Sequence, residues 1–220
     1  MIDGTNELWV KICGVTTVDD ARMIVEAGAD AIGLNFASVS PRCIDVERAR
    51  EIVHGIGPRV TWVGVFVDAG EAEMVRIYRA VGLDLAQFHG RETPEELRSF
   101  ERAVGWENVA YKALRVGARE DVETAQSYPG PFVLTDAKVK GAVGGTGQTF
   151  DWSLVDGLVK ERRVLLAGGL NADNVARAVR EVQPFGVDTA SGVESAPGKK
   201  DPELVRAFVE RAKSAARREG

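Results

Sequence analysis

Residues 8–36, LWVKICGVTTVDDARMIVEAGADAIGLNF, carry the first and clearest statement of the architecture. Residues 8–13 are β-branched, aromatic and aliphatic, which predicts a strand. The segment after them predicts a helix. Thr17 stands at the N-cap position, Ala21, Ile24, Val25 and Ala29 recur at helical spacing, and Gly28 marks the stop. Residues 31–36 return to strand character. Two strands joined through a helix cannot form a hairpin. The helix carries the chain back, so the strands run parallel with a right-handed crossover.

The same alternation continues outward from this unit. Further strands are predicted at 60–67, 83–89, 108–114, 131–137, 163–169 and 186–191. Helical patterns occupy TPEELRSFERAV (93–104), NADNVARAVREV (171–182) and DPELVRAFVERAKSAARR (201–218). Thr93 caps the first of these, Pro94 takes the first helical position and Glu96 completes a capping box. Eight strands, each followed by a helix and uninterrupted by a Pro/Ser-rich linker, predict a single α/β domain over residues 1–220, a (β/α)8 TIM barrel. An open doubly wound sheet is the alternative. It fits less well with eight even units, and no GxGxxG follows the first strand.

Composition narrows the partners. The 220 residues include 28 Lys and Arg against 33 Asp and Glu, a net charge of −5, and 45% are hydrophobic. No long basic run appears, which argues against nucleic acid. No apolar run approaches the ~20 residues a membrane helix needs, and the first ten residues lack the basic-then-apolar pattern of a signal peptide. Two cysteines are too few for a disulfide scaffold, so a reducing, cytoplasmic setting is expected.

In a TIM barrel the chemistry stands at the C-terminal ends of the strands. Side chains alternate along a strand, so Lys11 and Cys13 share the face opposite to Val10 and Ile12. If the apolar pair faces the helices, Lys11 and Cys13 point into the barrel, with Cys13 at its upper rim. There it is either a small buried hydrophobe or a reactive thiol. Asp136 ends the sixth strand after Phe132, Val133 and Leu134, where it is either a loop hydrogen-bonder or a reacting group. His89 and Gln87 share an inward face on the fourth strand, as substrate contacts or core hydrogen-bonders. Asp188, inward by the same parity, is predicted to lie within ~6 Å of Lys11, because strands 8 and 1 adjoin in a closed barrel and an unpaired buried charge is costly. His54 and Cys43 read as bystanders, and two histidines without a cysteine cluster give no metal site.

Three loops of small residues follow strands 6, 7 and 8. The first contains Gly141, Gly144, Gly145 and Gly147 ahead of a helix expected near residue 150 or 151. The second contains Gly168 and Gly169, and the third Ser191 and Gly192. Backbone N–H groups exposed before a helix make an anion site, and the loops after strands 7 and 8 are the usual phosphate site of this barrel. Together they predict a phosphorylated substrate. Arg42, in the Pro-stiffened SPR loop, is either a surface ion pair or a bidentate carboxylate binder.

The segments KICGVTT, SPR, LDLAQFHG, GGTGQTFDW, LAGGLNADNV and GVDTASGVESAPGKKD, in this order from about residue 9 to about 210, together resemble the phosphoribosylanthranilate isomerases of tryptophan biosynthesis. Cys43 stands where an aromatic residue commonly follows Ser-Pro-Arg, Phe88 where leucine is usual, and Ala190 where a serine is. The resemblance implies a cofactor-free Amadori rearrangement of N-(5-phosphoribosyl)anthranilate by a monomer or homodimer. Asp136 is then the acid that opens the ribose ring and Cys13 the base that takes the C2 proton. The implied substrate contacts are Lys11, Arg42, His89 and Asp188, with Gly145, Gly168, Gly169, Ser191 and Gly192 around the phosphate. Arg42 would take the anthranilate carboxylate. An ordinary aspartic acid is ionised at neutral pH and an ordinary thiol is not, so the environment must oppose both tendencies. Lys11 is expected to bring the Cys13 pKa down from ~8.5.

Overall fold

The computed structural model describes residues 8–137 and 151–217. Eight parallel strands close into a barrel in sequence order, and the last pairs with the first. The elements are β1 (Trp9–Cys13), α1 (Val18–Glu26), β2 (Ala31–Asn35), α2 (Val46–Ile56), β3 (Thr61–Phe66), α3 (Glu71–Val81), β4 (Leu85–Phe88) and α4 (Pro94–Val104). Then come β5 (Ala110–Val116), α5 (Arg119–Glu123), β6 (Val133–Ala137), α6 (Leu158–Glu161), β7 (Val164–Leu166), α7 (Val175–Val182), β8 (Gly186–Thr189), a hairpin of β9 (Glu194–Ala196) and β10 (Lys199–Lys200), and α8 (Pro202–Ala216). The caps read from the sequence are in place: Thr17 Oγ1 accepts from the Asp20 N–H at 3.1 Å, and Thr93 and Glu96 form the reciprocal box.

Three features depart from eight even units. After β5 the helix α5 has only five residues and runs into a 3-10 turn, Thr124–Ser127. After β6 the described chain resumes in a 3-10 turn, Trp152–Val155, and α6 has only four residues. After β8 the chain makes a short 3-10 turn, Ser191–Val193, and the β9–β10 hairpin before α8 begins. Pro197 and Gly198, the latter at φ 79°, turn that hairpin.

Strand alternation sorts the side chains into two apolar clusters. Val10, Ile12, Ile32 and Leu34 face the helices and join the larger one. Trp9, Ala31, Val63, Tyr111, Phe132 and Leu165 fill the barrel interior. At the lower end of that interior Phe132 packs against Trp9, Tyr111 and Phe185 with ring centroids 5.4, 4.5 and 5.5 Å apart. The barrel is thus plugged below, and a cavity can open only above.

Candidate active site

Above the aromatic plug lies a buried ion pair. Lys11 Nζ sits 2.8 Å from Asp188 Oδ1, with the lysine side chain fully enclosed. Register dictates the meeting, because Lys11 and Asp188 are direct partners in the β1–β8 ladder. Burial alone would push the Lys11 ammonium down, but the charges of Asp188 and Cys13 hold it above its ordinary value. Lys11 does not line the cavity that opens above it, whereas Asp188 does. It pairs with Asp188, and its ammonium also acts on the Cys13 thiol above it.

That cavity, of about 220 Å³, occupies the C-terminal mouth of the barrel. Cys13, Arg42, His89, Asp136, Asp188 and the loop residues Gly168, Gly169 and Ser191 all line it. Cys13 and Asp136, distant in sequence, arrive there because each is the last inward residue of its strand or nearly so. Gly33, level with Cys13 in the β1–β2 ladder, leaves room for the thiol: a Cβ there would stand 2.7 Å from Cys13 Sγ. Gly192 does not itself line this cavity. With Gly169 and Ser191, which border both spaces, it lines a second, shallower depression of about 530 Å³ against α8, which contains neither Cys13 nor Asp136. Gly145, and the glycine loop around it, lie outside the described residues.

The expectation for the Cys13 thiol needs correction. Burial pushes it above its ordinary value; the Lys11 ammonium draws it down, Asp188 pushes it up and Lys200 draws it down. Desolvation outweighs the attraction of Lys11, which the Asp188 carboxylate, 2.8 Å from that ammonium, opposes in part. The net effect is upward.

A hydrogen-bonded chain leads to Asp136. Tyr111 donates its hydroxyl to Gln87 Oε1 at 2.8 Å, and the Gln87 amide stands 3.0 Å from His89 Nδ1. With Oε1 committed as acceptor, the Gln87 NH2 donates to Nδ1. The proton of a neutral His89 is then on Nε2, which lies 3.4 Å from Asp136 Oδ2. The sequence placed Gln87 and His89 on one inward face but offered no sign of Tyr111.

Arg42 forms an ion pair, and a largely enclosed one. Its Nε and Nη2 meet Glu194 Oε1 and Oε2 at 2.7 and 2.6 Å. Lys200 Nζ reaches the same carboxylate at 2.7 Å and the carbonyls of Cys13 and Ala190 at 2.7 and 3.0 Å. Burial alone would raise the Glu194 carboxyl, yet its hydrogen bonds to Arg42 and Lys200 hold it below the usual carboxylate range. Arg115, at the inward parity of Tyr111 and Ala113, also lines the cavity. The predicted fifth strand stopped at 114, one residue short of it; extending the alternation by one step finds it. Glu194 and Lys200 carried no signal, since in a sequence they are two more surface-type charges. Among the described residues no three His, Cys, Asp or Glu side chains gather where a metal ion could be held.

A closed parallel barrel, with a thiol, a carboxyl and small-residue loops around one cavity at the C-terminal strand ends, defines a TIM-barrel enzyme. The family is equally clear. Residues 10–211 match the family model described as N-(5'phosphoribosyl)anthranilate (PRA) isomerase. A relative from Pseudomonas aeruginosa (strain LESB58), called N-(5'-phosphoribosyl)anthranilate isomerase, is 49% identical over 212 residues, covering 96% of this chain and 97% of its own. The crystal structure of phosphoribosyl anthranilate isomerase from Thermotoga maritima superposes with a TM-score of 0.86 at 38% identity, covering 94% of this chain and 99% of that one. A structure of the isomerase in complex with reduced 1-(o-carboxyphenylamino)-1-deoxyribulose 5-phosphate gives 0.82 at 37% identity, with the same coverage. The chain belongs to the N-(5'-phosphoribosyl)anthranilate isomerase family.

Proposed function

We propose that the barrel-mouth cavity isomerises N-(5-phosphoribosyl)anthranilate to 1-(2-carboxyphenylamino)-1-deoxyribulose 5-phosphate, a step of tryptophan biosynthesis, with Asp136 as acid and Cys13 as base. The observation that carries this assignment is the convergence of Cys13, Asp136, Arg42 and the β7 and β8 loops on one cavity. Asp136 gives its proton to the ribose ring oxygen as the C1–O bond breaks. The anilino nitrogen supplies its lone pair to form C1=N. Cys13, as thiolate, takes the proton from C2, and the released electrons form C1=C2 and neutralise the nitrogen. The enol so formed becomes the C2 ketone by proton transfer to C1. All of this is proton movement within one molecule, which is why two side chains suffice.

Substrate placement follows from the ends of the cavity. The phosphate takes the backbone N–H groups of Gly168, Gly169 and Ser191, and the fixed phosphate supplies binding energy remote from the reacting carbons. The anthranilate carboxylate takes Arg42 at the other side. Asp188 and His89 form the floor and one wall, and His89 Nε2 stands 3.4 Å from Asp136 Oδ2.

A thiol whose pKa is pushed up is mostly protonated at neutral pH and is the stronger base once ionised. Turnover needs Cys13 ionised and Asp136 protonated at the same time, so activity falls as pH drops, where the thiol keeps its proton, and falls again as pH climbs, where the carboxyl no longer holds one. The test is turnover of freshly made N-(5-phosphoribosyl)anthranilate, followed by loss of its fluorescence, in the parent protein, Cys13→Ser and Asp136→Asn. Turnover that collapses in both variants is the expected result. An inactive parent that still binds phosphosugar would leave a phosphate-binding barrel with another substrate.

A further inference from the structure

Arg42 cannot be read simply as a free cation waiting for a carboxylate, since Glu194 already occupies its Nε/Nη2 edge. A guanidinium, however, has five N–H donors and more than one edge. Nη1 makes no hydrogen bond among the described residues, and Nη2 has a second N–H. The Nη1/Nη2 edge therefore remains for an incoming carboxylate while Glu194 stays where it is.

Three observations say that Glu194 stays. Its side chain is 4% exposed, and Lys200, which holds its other face, is 0% exposed. Lys200 spends its three N–H donors on Glu194 and on the carbonyls of Cys13 and Ala190, which ties the β9–β10 hairpin to the end of β1. The stem of Arg42 lies directly on Gly14: a Cβ there would stand 2.3 Å from Arg42 Cδ, and Gly14 adopts φ +74°. The guanidinium is thus braced from below by Gly14 and from the side by Glu194.

Charge points the same way. Arg42, Glu194 and Lys200 together carry one positive charge in excess, largely shielded from water. Such an excess is costly and is relieved by one anion.

We propose that Glu194 is a positioning residue for substrate recognition: braced by Lys200, it holds Arg42 so that the Nη1/Nη2 edge receives the substrate carboxylate, and it is not displaced when substrate binds. This rests on the reading that Arg42 binds the anthranilate carboxylate.

The experiment compares N-(5-phosphoribosyl)anthranilate with N-(5-phosphoribosyl)aniline, which lacks the carboxylate, in the full-length parent, Arg42→Ala and Glu194→Gln proteins. Glu194→Gln should raise KM for the anthranilate substrate about tenfold or more, the scale of a hydrogen bond to a charged group. It should leave KM for the aniline substrate and kcat for both unchanged. In an Arg42→Ala background the Glu194→Gln change should add nothing further. A KM that falls in Glu194→Gln would show a competitor that substrate displaces. A KM that rises equally for both substrates would show a merely structural residue. Either result, or additive effects in the double variant, overturns the inference. If Arg42→Ala itself fails to discriminate the two substrates, the underlying reading of Arg42 falls. If Arg42→Ala discriminates and Glu194→Gln does not, only the role of Glu194 falls. Should Glu194→Gln fail to fold, Glu194→Asp keeps the charge and withdraws it by one methylene, and the same selective rise in KM is required of it.

Discussion

The lower and upper halves of the barrel interior are built by the same strands yet have opposite characters. On β1 the inward residues run Trp9, Lys11, Cys13; on β5 they run Tyr111, Ala113, Arg115; and along the β6 segment they run Phe132, Leu134, Asp136. Four residues, about 13 Å of strand, lead from stacked rings to a thiol and a carboxyl. Between the halves lies the Lys11–Asp188 pair. The difference teaches a division of labour. The rings bury area and hold the barrel closed, the ion pair makes a floor, and the residues above it are spared packing duty and left with hydrogen-bonding and charge.

That division can be broken by experiment. The largest expected effect is on rate: Asp136→Asn and Cys13→Ser should each lower kcat by about 10²–10⁴-fold, the usual worth of a general acid or base. Their thermal midpoints should stay near the parent's. A midpoint that collapses along with kcat would show that the upper half also carries the fold. Next, Phe132→Ala should cost about 3–5 kcal/mol in urea unfolding, as large aromatic-to-alanine changes in a core do. At temperatures where the variant is folded, its kcat and KM should match the parent's.

The boundary layer should show both effects. Lys11→Met strands Asp188 without its partner and should cost about 3–5 kcal/mol, the penalty for breaking a buried pair from one side. It also removes an attraction that draws the Cys13 thiol down. In a Cys43→Ser background, the pH dependence of Cys13 alkylation should therefore move to higher pH, and the limb of the kcat/KM profile that reports this thiol should move with it. An unmoved profile would separate Lys11 from the chemistry. The sign also fixes a stability trend for the parent. Cys13 has a folded-state pKa raised from an ordinary 9.0, so above about that pH the unfolded chain gives up a proton that the folded chain retains. Stability from this group is present at lower pH and is lost as pH climbs through the alkaline range.

The smallest effect is expected from Tyr111→Phe. It leaves Gln87 Oε1 without its donor, at about 1–3 kcal/mol, and frees the amide to turn. The nitrogen-15 shifts of His89 should then report a changed tautomer, with His54, exposed on α2, as an internal reference. An unchanged His89 would show that its tautomer is set by Asp136 alone.

Much of this molecule follows from periodicity alone. Alternation along each strand and the 3.6-residue repeat between strands determine that there are eight parallel strands, which side chains point inward, and that Cys13 and Asp136 end theirs at the rim. The Lys11–Asp188 contact followed too, because closure of eight strands makes the first and last neighbours whatever their separation in the chain. Local chemistry was readable where its partners are local, as in the Thr17 cap and the Thr93–Glu96 box. Tertiary structure alone decided the rest. Arg42 and Glu194 are 152 residues apart, one in the loop after β2 and the other at the start of the short β9 outside the barrel, where the barrel's period constrains neither direction. Of the adjacent Lys199 and Lys200, only Lys200 is buried, a choice made by the hairpin's register on the end of β1. The direction in which the Cys13 thiol is shifted belongs here as well. It is set first by desolvation, which only packing determines, against the pull of Lys11 and the opposing push of Asp188. Periodicity aims a side chain; only the packed chain determines what it meets and how much water is left around it.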